Sequence, residues 1–490
     1  MTARRTHFAD GNEAMANNTS DALGKSTDAR PVAAELYLLP VTTRVPLKFG
    51  SETLTTVTCA RVKLRVKGRD GRTAEGWGET PLSVQWTWPG SLSVAARHDA
   101  MVGFCKRLAA QWAGTDVWGH PLEVGYRFQR DLLHPLLTDF NHARSHDERM
   151  PYLAALVCCS AFDIALHDAF GTLHSVPIYE TYNSQYMSHD LAAFYASDDP
   201  EAGRFRGVYP NSFLQNHPTI KLPVWHLVGG LDPLDGNTAT ASDPHDSYPV
   251  TLSGWINRDG LNCLKIKLRG NDAAWDYDRI ALVGRMAAEN AVEWLSTDFN
   301  CTVTEPSYVN DILDRLKREY PQLFGMLLYV EQPFPYDLEQ FPIDVRSVSS
   351  RKPLFLDESA HDWQHVRRGE QLGWTGVALK TCKTQTGAIL SLCWARAHGM
   401  QLMVQDLTNP MLAQIPHVLL AAYADTIMGV ESNAMQFYPE ASRDEARVHP
   451  GLYTRRQGKL DLSTIDGPGF GYRVREINRP LPEMTACFEK

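Results

Sequence analysis

Five charged residues, each closing a short β-like run, recur through the second half of the chain at the interval of one strand–helix–strand unit. Leu264-Lys265-Ile266-Lys267-Leu268 comes first. Asp298 follows Leu295-Ser296-Thr297, Glu331 follows Leu328-Tyr329-Val330, Asp357 follows Leu354-Phe355-Leu356, and Lys380 follows Val377-Ala378-Leu379. From Lys267 onward the steps are 31, 33, 26 and 23 residues, close to the about 30 residues of a βαβ unit. Such a series predicts an α/β fold, a TIM-type (β/α) barrel, in which parallel strands open their C-terminal ends on one face and share one site there.

On that face Asp298, Glu331 and Asp357 would converge as three hard oxygen ligands. Such a set suits Mg²⁺, with Mn²⁺ as the alternative. No thiolate or imidazole stands at these positions to favour zinc. Lys265 and Lys267 are one residue apart, so strand alternation points both into the barrel mouth. A lysine in a partly dry pocket beside another cation or a metal has a lowered pKa and can serve as a base near neutral pH. Lys380 arrives from across the barrel. Amines on both sides of a metal-bound substrate could add and remove a proton on opposite faces of one carbon, while the metal holds the enolate charge.

The Lys-x-Lys run, Asp298-x-Asn300, Glu331-Gln332-Pro333, Asp357-Glu358-Ser359 and the strand lysine Lys380 resemble the enolase superfamily, in particular its muconate-lactonizing-enzyme-like subgroup. In that superfamily a Lys or His base works beside Mg²⁺, which stabilises an ene-diolate. The resemblance implies a modified barrel with an α+β N-terminal capping domain. It assigns Asp298, Glu331 and Asp357 to the metal and Lys267 and Lys380 to acid/base work. Lys265 tunes Lys267 and touches a substrate carboxylate. The implied activity is that of an isomerase acting α to a carboxylate, as a racemase, epimerase or cycloisomerase.

Length and charge are compatible with this. A chain of 490 residues, 43% hydrophobic, accommodates a barrel of about 250 residues and a second domain. A net charge of −9 from 48 basic and 57 acidic side chains lacks the basic footprint of nucleic-acid binding. No run reaches the about 18 consecutive apolar residues of a membrane span, and the polar start reads as cytoplasmic. Nine scattered cysteines without a Cys-x-x-Cys pair read as reduced thiols. The expected partner is a small carboxylate; a homo-oligomer is compatible.

The expected organisation is a disordered tail at 1–30, a cap at 31–150 completed by about 455–490, and the barrel at 151–454. Within the cap, Gly76-Trp77-Gly78-Glu79 resembles the segment that closes the family's sheet, and 154–170 resembles the helix joining cap to barrel, with an amphipathic stripe. Asp163 and Asp168 in it read as structural. Residues 181–218 form an irregular insertion of the kind that serves as a lid, an interface or a disordered loop. The first strand is placed at 222–228 and the last at 426–430.

Several residues have two readings. Asn300, on the side of Asp298, reads as a support or substrate contact, or as a turn residue. Asp406 and Glu431 close the seventh and eighth strands and are candidates to hold a substrate's polar end. Glu358 should point away from Asp357 by alternation. Lys383 reads as a solvated lysine, with substrate contact as the alternative. His226 reads as facing the mouth or as a core histidine, and His417 as structural. Trp86 and Trp88 suggest either a ring-binding face or cap packing. The rival activities are a sugar-acid dehydratase using an Asp–His dyad and a barrel that binds a ligand without turnover. Asp406 and His417 are too close in sequence for a dyad on successive strands.

Overall fold

The computed structural model describes residues 24–49, 52–195, 202–237 and 243–490. Residues 1–23 of the expected disordered tail lie outside these. Residues 24–30 are placed, with Asp28 buried and Ala29 opening the first strand.

A four-stranded antiparallel sheet comes first: β1 (Ala29–Phe49), β2 (Glu52–Gly68), β3 (Thr73–Pro81), and a late strand that returns at the end of the chain, Ala486–Glu489, beside Ala33–Leu36 of β1. The turn between β2 and β3 follows from Gly68-Arg69-Asp70-Gly71. Asp70 accepts the amide of Arg72 at 3.0 Å, and Gly71 takes a φ of +85° that costs glycine nothing. β1 and β2 together make a long hairpin whose arm runs past the sheet, after a register shift between Thr42 and Leu47.

Behind the sheet lies the helix Tyr152–His174. It was expected to carry an apolar stripe, but it is buried on nearly every face. By length and composition the stretch His146–His174 could cross a membrane, yet its apolar window lies wholly inside the fold. Its burial follows from two partners, the β3 side of the sheet and the barrel. Gly76 and Gly78 are what let β3 approach so closely. A Cβ at Gly78 would stand 2.0 Å from the carbonyl oxygen of Ala161. Asp168 then ties three segments by accepting the amides of Trp77 (2.8 Å) and Phe470 (2.9 Å). Asp163 holds Thr386 in the same way.

The second sheet has nine strands among the described residues, an antiparallel one, Lys459–Asp461, laid on the start of the first, and eight parallel ones: β4 (Lys221–Val228), β5 (Cys263–Lys267), β6 (Trp294–Asp298), β7 (Leu327–Glu331), β8 (Leu354–Leu356), β9 (Gly376–Leu379), β10 (Gln401–Val404) and β11 (Val430–Glu431). Neighbours pair in chain order from β4 to β10, and β11 pairs back on β4. The sheet curls into a modified barrel that is left open between β10 and β11, where one backbone bond, Ile427 N to Leu402 O at 2.9 Å, spans the seam. The short last strand covers only the end of the expected 426–430 run. Helices of the expected 3.6-residue period pack outside, among them Ala273–Glu289, Pro306–Glu319 and Gln385–Ala397.

The described part of the insertion forms short turns clad against the outer helices, away from the strand ends. Tyr182 is buried with its hydroxyl 3.0 Å from His167 Nδ1, Tyr195 packs on Trp363 and donates to the carbonyl of Leu390, and Phe205 lies buried against Tyr195. Burying its aromatic residues is what this segment contributes, and the lid reading does not fit its position.

Candidate active site

Strand alternation sorts the barrel interior into layers. Trp225, Cys263, Tyr329, Phe355 and Met403 form an apolar plug. Two residues further along the same strands stand Leu227, Lys265, Glu331, Asp357 and Gln405, and Asp298 follows Ser296 on β6. Period-two geometry therefore lifts a charged layer directly above the plug. Lys265, Asp298, Glu331 and Asp357 are each 1% exposed or less.

Lys265 sits at the centre. Its Nζ donates to Glu331 Oε1 at 2.6 Å, Glu431 Oε2 at 2.9 Å and Gln405 Oε1 at 3.3 Å, and lies 3.1 Å from Asp298 Oδ2. Lys267 donates to Asp298 Oδ2. On the other side Lys380 Nζ lies 3.2 Å from Asp357 Oδ2, 3.2 Å from the carbonyl of Asp406 and 3.4 Å from Gln405 Oε1. The sheet order explains the arrangement. β6, β7 and the end of β8 carry the three carboxylates, and the lysine-bearing β5 and β9 flank them.

With carboxylates as their neighbours, Lys265 and Lys380 are raised rather than lowered. Burial pulls both down, but the carboxylates around them outweigh it. Glu331, Glu431 and Asp298 hold Lys265 well above its ordinary value, and Asp357 does the same for Lys380. Reciprocally, Asp298 is depressed: burial opposes ionisation, but the charges of Lys267 and Lys265 prevail. Asp357 is lowered by Lys380 and Lys383 against the cost of burial. Glu331 is pushed well up by burial and then by the neighbouring Asp298.

Lys383 was read as solvated and is not. It is 3% exposed, and its Nζ donates to the backbone carbonyl of Asp357 and approaches Oδ1 of the same residue at 3.4 Å. A one-turn 3₁₀ segment, Thr381–Lys383, folds it back beneath the cap. Trp86 covers both amines, with its ring 5.3 Å from Lys380 Nζ and 5.5 Å from Lys383 Nζ. Its indole N–H donates to Glu358 Oε1 at 3.0 Å. Glu358 therefore faces the cap side of the mouth. Alternation failed there because β8 ends at Leu356. Burial, then Asp357 and Asp298, raise Glu358 to about 7. Trp88 is packed in the core.

Asn300 has a φ of +47°. It turns its amide back on Asp298 Oδ1 at 2.9 Å and donates from Nδ2 to Glu358 Oε1 at 3.1 Å. The Asp406 carboxylate is engaged by the Asn433 amide at 2.8 Å and by Asn409. Glu431 bonds Lys265 and Asn433 Nδ2. His226 points out of the barrel toward Trp255. His417 is buried, with Nε2 2.6 Å from the carbonyl oxygen of Glu431, so it forms no dyad with Asp406. Gln405 escaped the sequence reading, although alternation from Met403 places it inward. Its Nε2 donates to Glu331 Oε2 at 2.5 Å and to Tyr329 Oη at 3.2 Å, while Oε1 accepts from both Lys265 and Lys380. Non-glycine residues with positive φ follow the site residues closely: Cys301, Gln332, Thr384 and Thr408. Such strain gathers where surrounding structure over-determines a functional geometry.

Among the described residues, no group of three or more His, Cys, Asp or Glu side chains is drawn together to hold a metal ion. The expected coordination sphere is not assembled, because lysine amines lie between the carboxylates. The donor chemistry nonetheless fits a divalent cation. Six buried carboxylates (Asp298, Glu331, Asp357, Glu358, Asp406 and Glu431) face four buried lysines (Lys265, Lys267, Lys380 and Lys383). The fully ionised set is short of two positive charges. Glu331, Glu358 and Asp406 are correspondingly pushed toward their protonated forms, burial being the first cause for each. Oxygen donors in such surplus suit Mg²⁺.

The hairpin arm closes the mouth from above. Leu47, Phe49 and Leu54 come down opposite Trp86 and leave a space of about 40 Å³ over the lysines, little more than one water's share of about 30 Å³. The arm is tied to the barrel by Arg44, which grips both oxygens of Asp246 at 2.7 and 2.8 Å and the carbonyls of Tyr248 and Pro249.

Residues 251–478 match the family described as enolase C-terminal domain-like. No curated protein matches the chain. Similar solved structures include the N-succinyl Arg/Lys racemase of Bacillus cereus, 16% identical with a TM-score of 0.60 over 94% of this chain and 100% of that one. The L-Ala-D/L-Glu epimerase of Bacillus subtilis is 17% identical with a TM-score of 0.55, covering 94% and 99%. The muconate lactonizing enzyme of Pseudomonas fluorescens is 15% identical with a TM-score of 0.56, covering 90% and 96%. At these identities the likeness is one of fold. An open, curled barrel beneath an N-terminal sheet, with charged strand ends gathered under that sheet, defines the enolase-like class. The fold is therefore enolase-like, and within it residues 251–478 are similar to the enolase C-terminal domain.

Proposed function

We propose that this protein is a Mg²⁺-dependent isomerase (Mn²⁺ being the alternative ion) that removes the proton α to a small substrate's carboxylate. The observation that carries the reading is the placing of Lys267 and Lys380 on opposite flanks of three carboxylates borne by β6, β7 and the end of β8. Asp298, Glu331 and Asp357 would hold the ion, which when bound would stabilise negative charge on the substrate's carboxylate oxygens. Lys265, Lys267 and Lys380 lose part of their carboxylate partners' hold when those carboxylates serve a cation. Lys267 and Lys380 are then the two proton-transfer groups, one to each face of the α-carbon, and Lys265 orients the carboxylate. Asn300 and Glu431 would position the substrate. Asp406 would do so mainly through its backbone carbonyl, which already accepts from Lys380.

Amines on both flanks favour reprotonation from the opposite side, hence a racemase or epimerase, and equally allow ring closure in a cycloisomerase. The dehydratase reading loses its Asp–His dyad to the bond between His417 and the Glu431 backbone. A barrel without turnover would have little use for so many buried charges.

The test is exchange of the α-proton with solvent deuterium, followed by NMR over a panel of dipeptides, N-acyl amino acids, lactones and sugar acids. Exchange should require Mg²⁺ or Mn²⁺ and stop with a chelator. Lys267→Ala and Lys380→Ala should each spare exchange of one enantiomer more than the other. Full turnover in the double variant would overturn the assignment, as would Mg²⁺ dependence unchanged in Asp298→Asn.

A further inference from the structure

One residue past Lys383 the backbone takes a conformation that threonine ordinarily avoids. Thr384 has a φ of +80° and a ψ of 144°, a region open to glycine and rare for any β-branched residue. Glycine would sit there at no steric cost. What threonine adds is its hydroxyl, which accepts the amide of Gly387 at 2.9 Å and donates to Gln129 Oε1 at 3.2 Å. The first bond caps the helix Gln385–Ala397, a service that serine or aspartate gives from ordinary extended backbone. The second reaches 255 residues back along the chain and serves no such local purpose.

Gln129 opens a π turn, Gln129–Leu133, that continues the helix Pro121–Phe128. Such turns are frequent at functional sites. The helix is pressed onto the same place: a Cβ at Gly125 would stand 2.3 Å from both Asp163 Oδ1 and Thr386 Oγ1. The long helix holds the segment at two more points. Ser160 donates to the carbonyl of Thr381 at 2.7 Å, and Asp163 accepts the amide and the hydroxyl of Thr386, each at 2.8 Å. Within the turn the Lys383 amide donates to the carbonyl of Lys380 at 3.1 Å. The chain is thus gripped from outside the barrel at Thr381, Thr384 and Thr386. Its two amines point inward, Lys383 to the backbone and carboxylate of Asp357 and Lys380 to the same carboxylate. The bond from Gln129 falls at the strained residue, where the turn passes into the helix. A negative φ at Thr384 would rotate the preceding peptide against that helix and carry Lys383 off Asp357.

We propose, resting on the reaction assigned above, that Gln129 and Thr384 are positioning residues for the proton transfer. Neither touches the reacting atoms. Through their bond a turn outside the barrel locks the strained backbone, which aims Lys383 at Asp357 and keeps Lys380 beside it. Strain of this kind persists only where the surroundings over-determine it, and here the three outer holds on Thr381, Thr384 and Thr386 do so.

Steady-state kinetics of α-proton exchange test this, at a temperature where every variant is folded. Gln129→Leu keeps the volume and the cap of the helix and removes the tie. Its kcat should fall for both enantiomers by about 10- to 100-fold, since a small misplacement made far from the chemistry can cost that much. KM should stay nearly unchanged. Added to Lys383→Met, the same change should cost nothing more. Thr384→Gly should keep or raise the unfolding midpoint and lose kcat as Gln129→Leu does, whereas Thr384→Ser should stay close to the parent. The proposal falls if Gln129→Leu turns over at the parent rate, if its effect multiplies with that of Lys383→Met, or if Thr384→Gly is fully active. Carbon-13 NMR of lysine-labelled protein gives a readout without substrate. In Gln129→Leu the Cε signals of Lys380 and Lys383, assigned by their loss in Lys380→Met and Lys383→Met, should move, and that of Lys267 should stay. Unmoved signals would overturn the positioning. Moved signals in a protein that exchanges no α-proton would uphold it and overturn the reaction, so the two readings fail separately.

Discussion

Gln405 Nε2 donates to Glu331 Oε2 at 2.5 Å, while Oε1 of the same amide accepts from lysines on both sides of the barrel. One buried side chain thereby fixes a candidate metal ligand and spaces two amines. Gln405→Leu keeps the volume and removes all four bonds. Because Gln405 would act through its neighbours, both faces of the α-carbon should suffer together. The expected result is a fall in deuterium exchange and in Mg²⁺ affinity of about 10- to 100-fold, typical when an outer-shell partner is removed. KM should change little. A variant that favoured one enantiomer would show that Gln405 serves a single lysine instead.

Lys383 gives the complementary prediction. Lys380→Met should abolish exchange on one face. Lys383→Met should depress both faces alike, since Lys383 grips the Asp357 backbone and carboxylate. It should also destabilise the fold, because removing one partner of a buried ion pair costs about 3–5 kcal/mol. Enantiomer-resolved exchange and thermal unfolding separate the two effects.

The fate of Lys383 illustrates what was legible in the sequence. The strands that carry Lys265, Asp298 and Glu331 were visible because period-two alternation and the repeat of strand–helix units are local signals. Alternation carried inward from Met403 would also have found Gln405. It could not place Glu358 or Lys383, because each lies past the end of a strand, where a 3₁₀ turn or a loop resets the direction of the side chain. The insertion misled for another reason. Its irregular, aromatic sequence is equally suited to a lid and to a cladding, and only the identity of the surface beneath it decides. The closing hairpin arm was unreadable because it depends on the long-range tie between Arg44 and Asp246, 202 residues apart.

The Gly76-Trp77-Gly78 segment was legible as a motif, and the structure supplies its reason. Gly78→Ala would drive a methyl group into backbone atoms of Ala161 and Ala165 at 2.0 and 2.6 Å. Neither is a flexible side-chain end that could yield. The loss of stability should reach or exceed the about 1–3 kcal/mol of ordinary overpacking. Gly71→Ala is the control. Nothing lies within 4 Å of its Cβ position, so only its positive φ is penalised, at about 1 kcal/mol. Thermal unfolding of the pair should rank Gly78→Ala well below Gly71→Ala; equal midpoints would mean that β3 has room to shift.

Asp168 joins the sheet, the long helix and the returning tail, and its protonation makes that junction sensitive to pH. Burial raises its carboxyl from 3.8 to about 7, even though two backbone amides favour the ionised form. A raised carboxyl pKa means that the folded state binds the proton more tightly than the unfolded chain does. Its contribution to stability is therefore fully present below pH 3.8 and is lost as pH rises toward about 7. Asp168→Asn removes the titration. It keeps one acceptor for Trp77 or Phe470 and leaves the other amide facing an NH₂ group, at a constant cost of about 1–3 kcal/mol. The difference in unfolding midpoint, variant minus parent, should be negative at pH 4 and become steadily less so toward pH 7. A difference that stayed flat over that interval would place the titration elsewhere, with Asp163, raised to about 7 chiefly by burial, as the next carboxyl to replace.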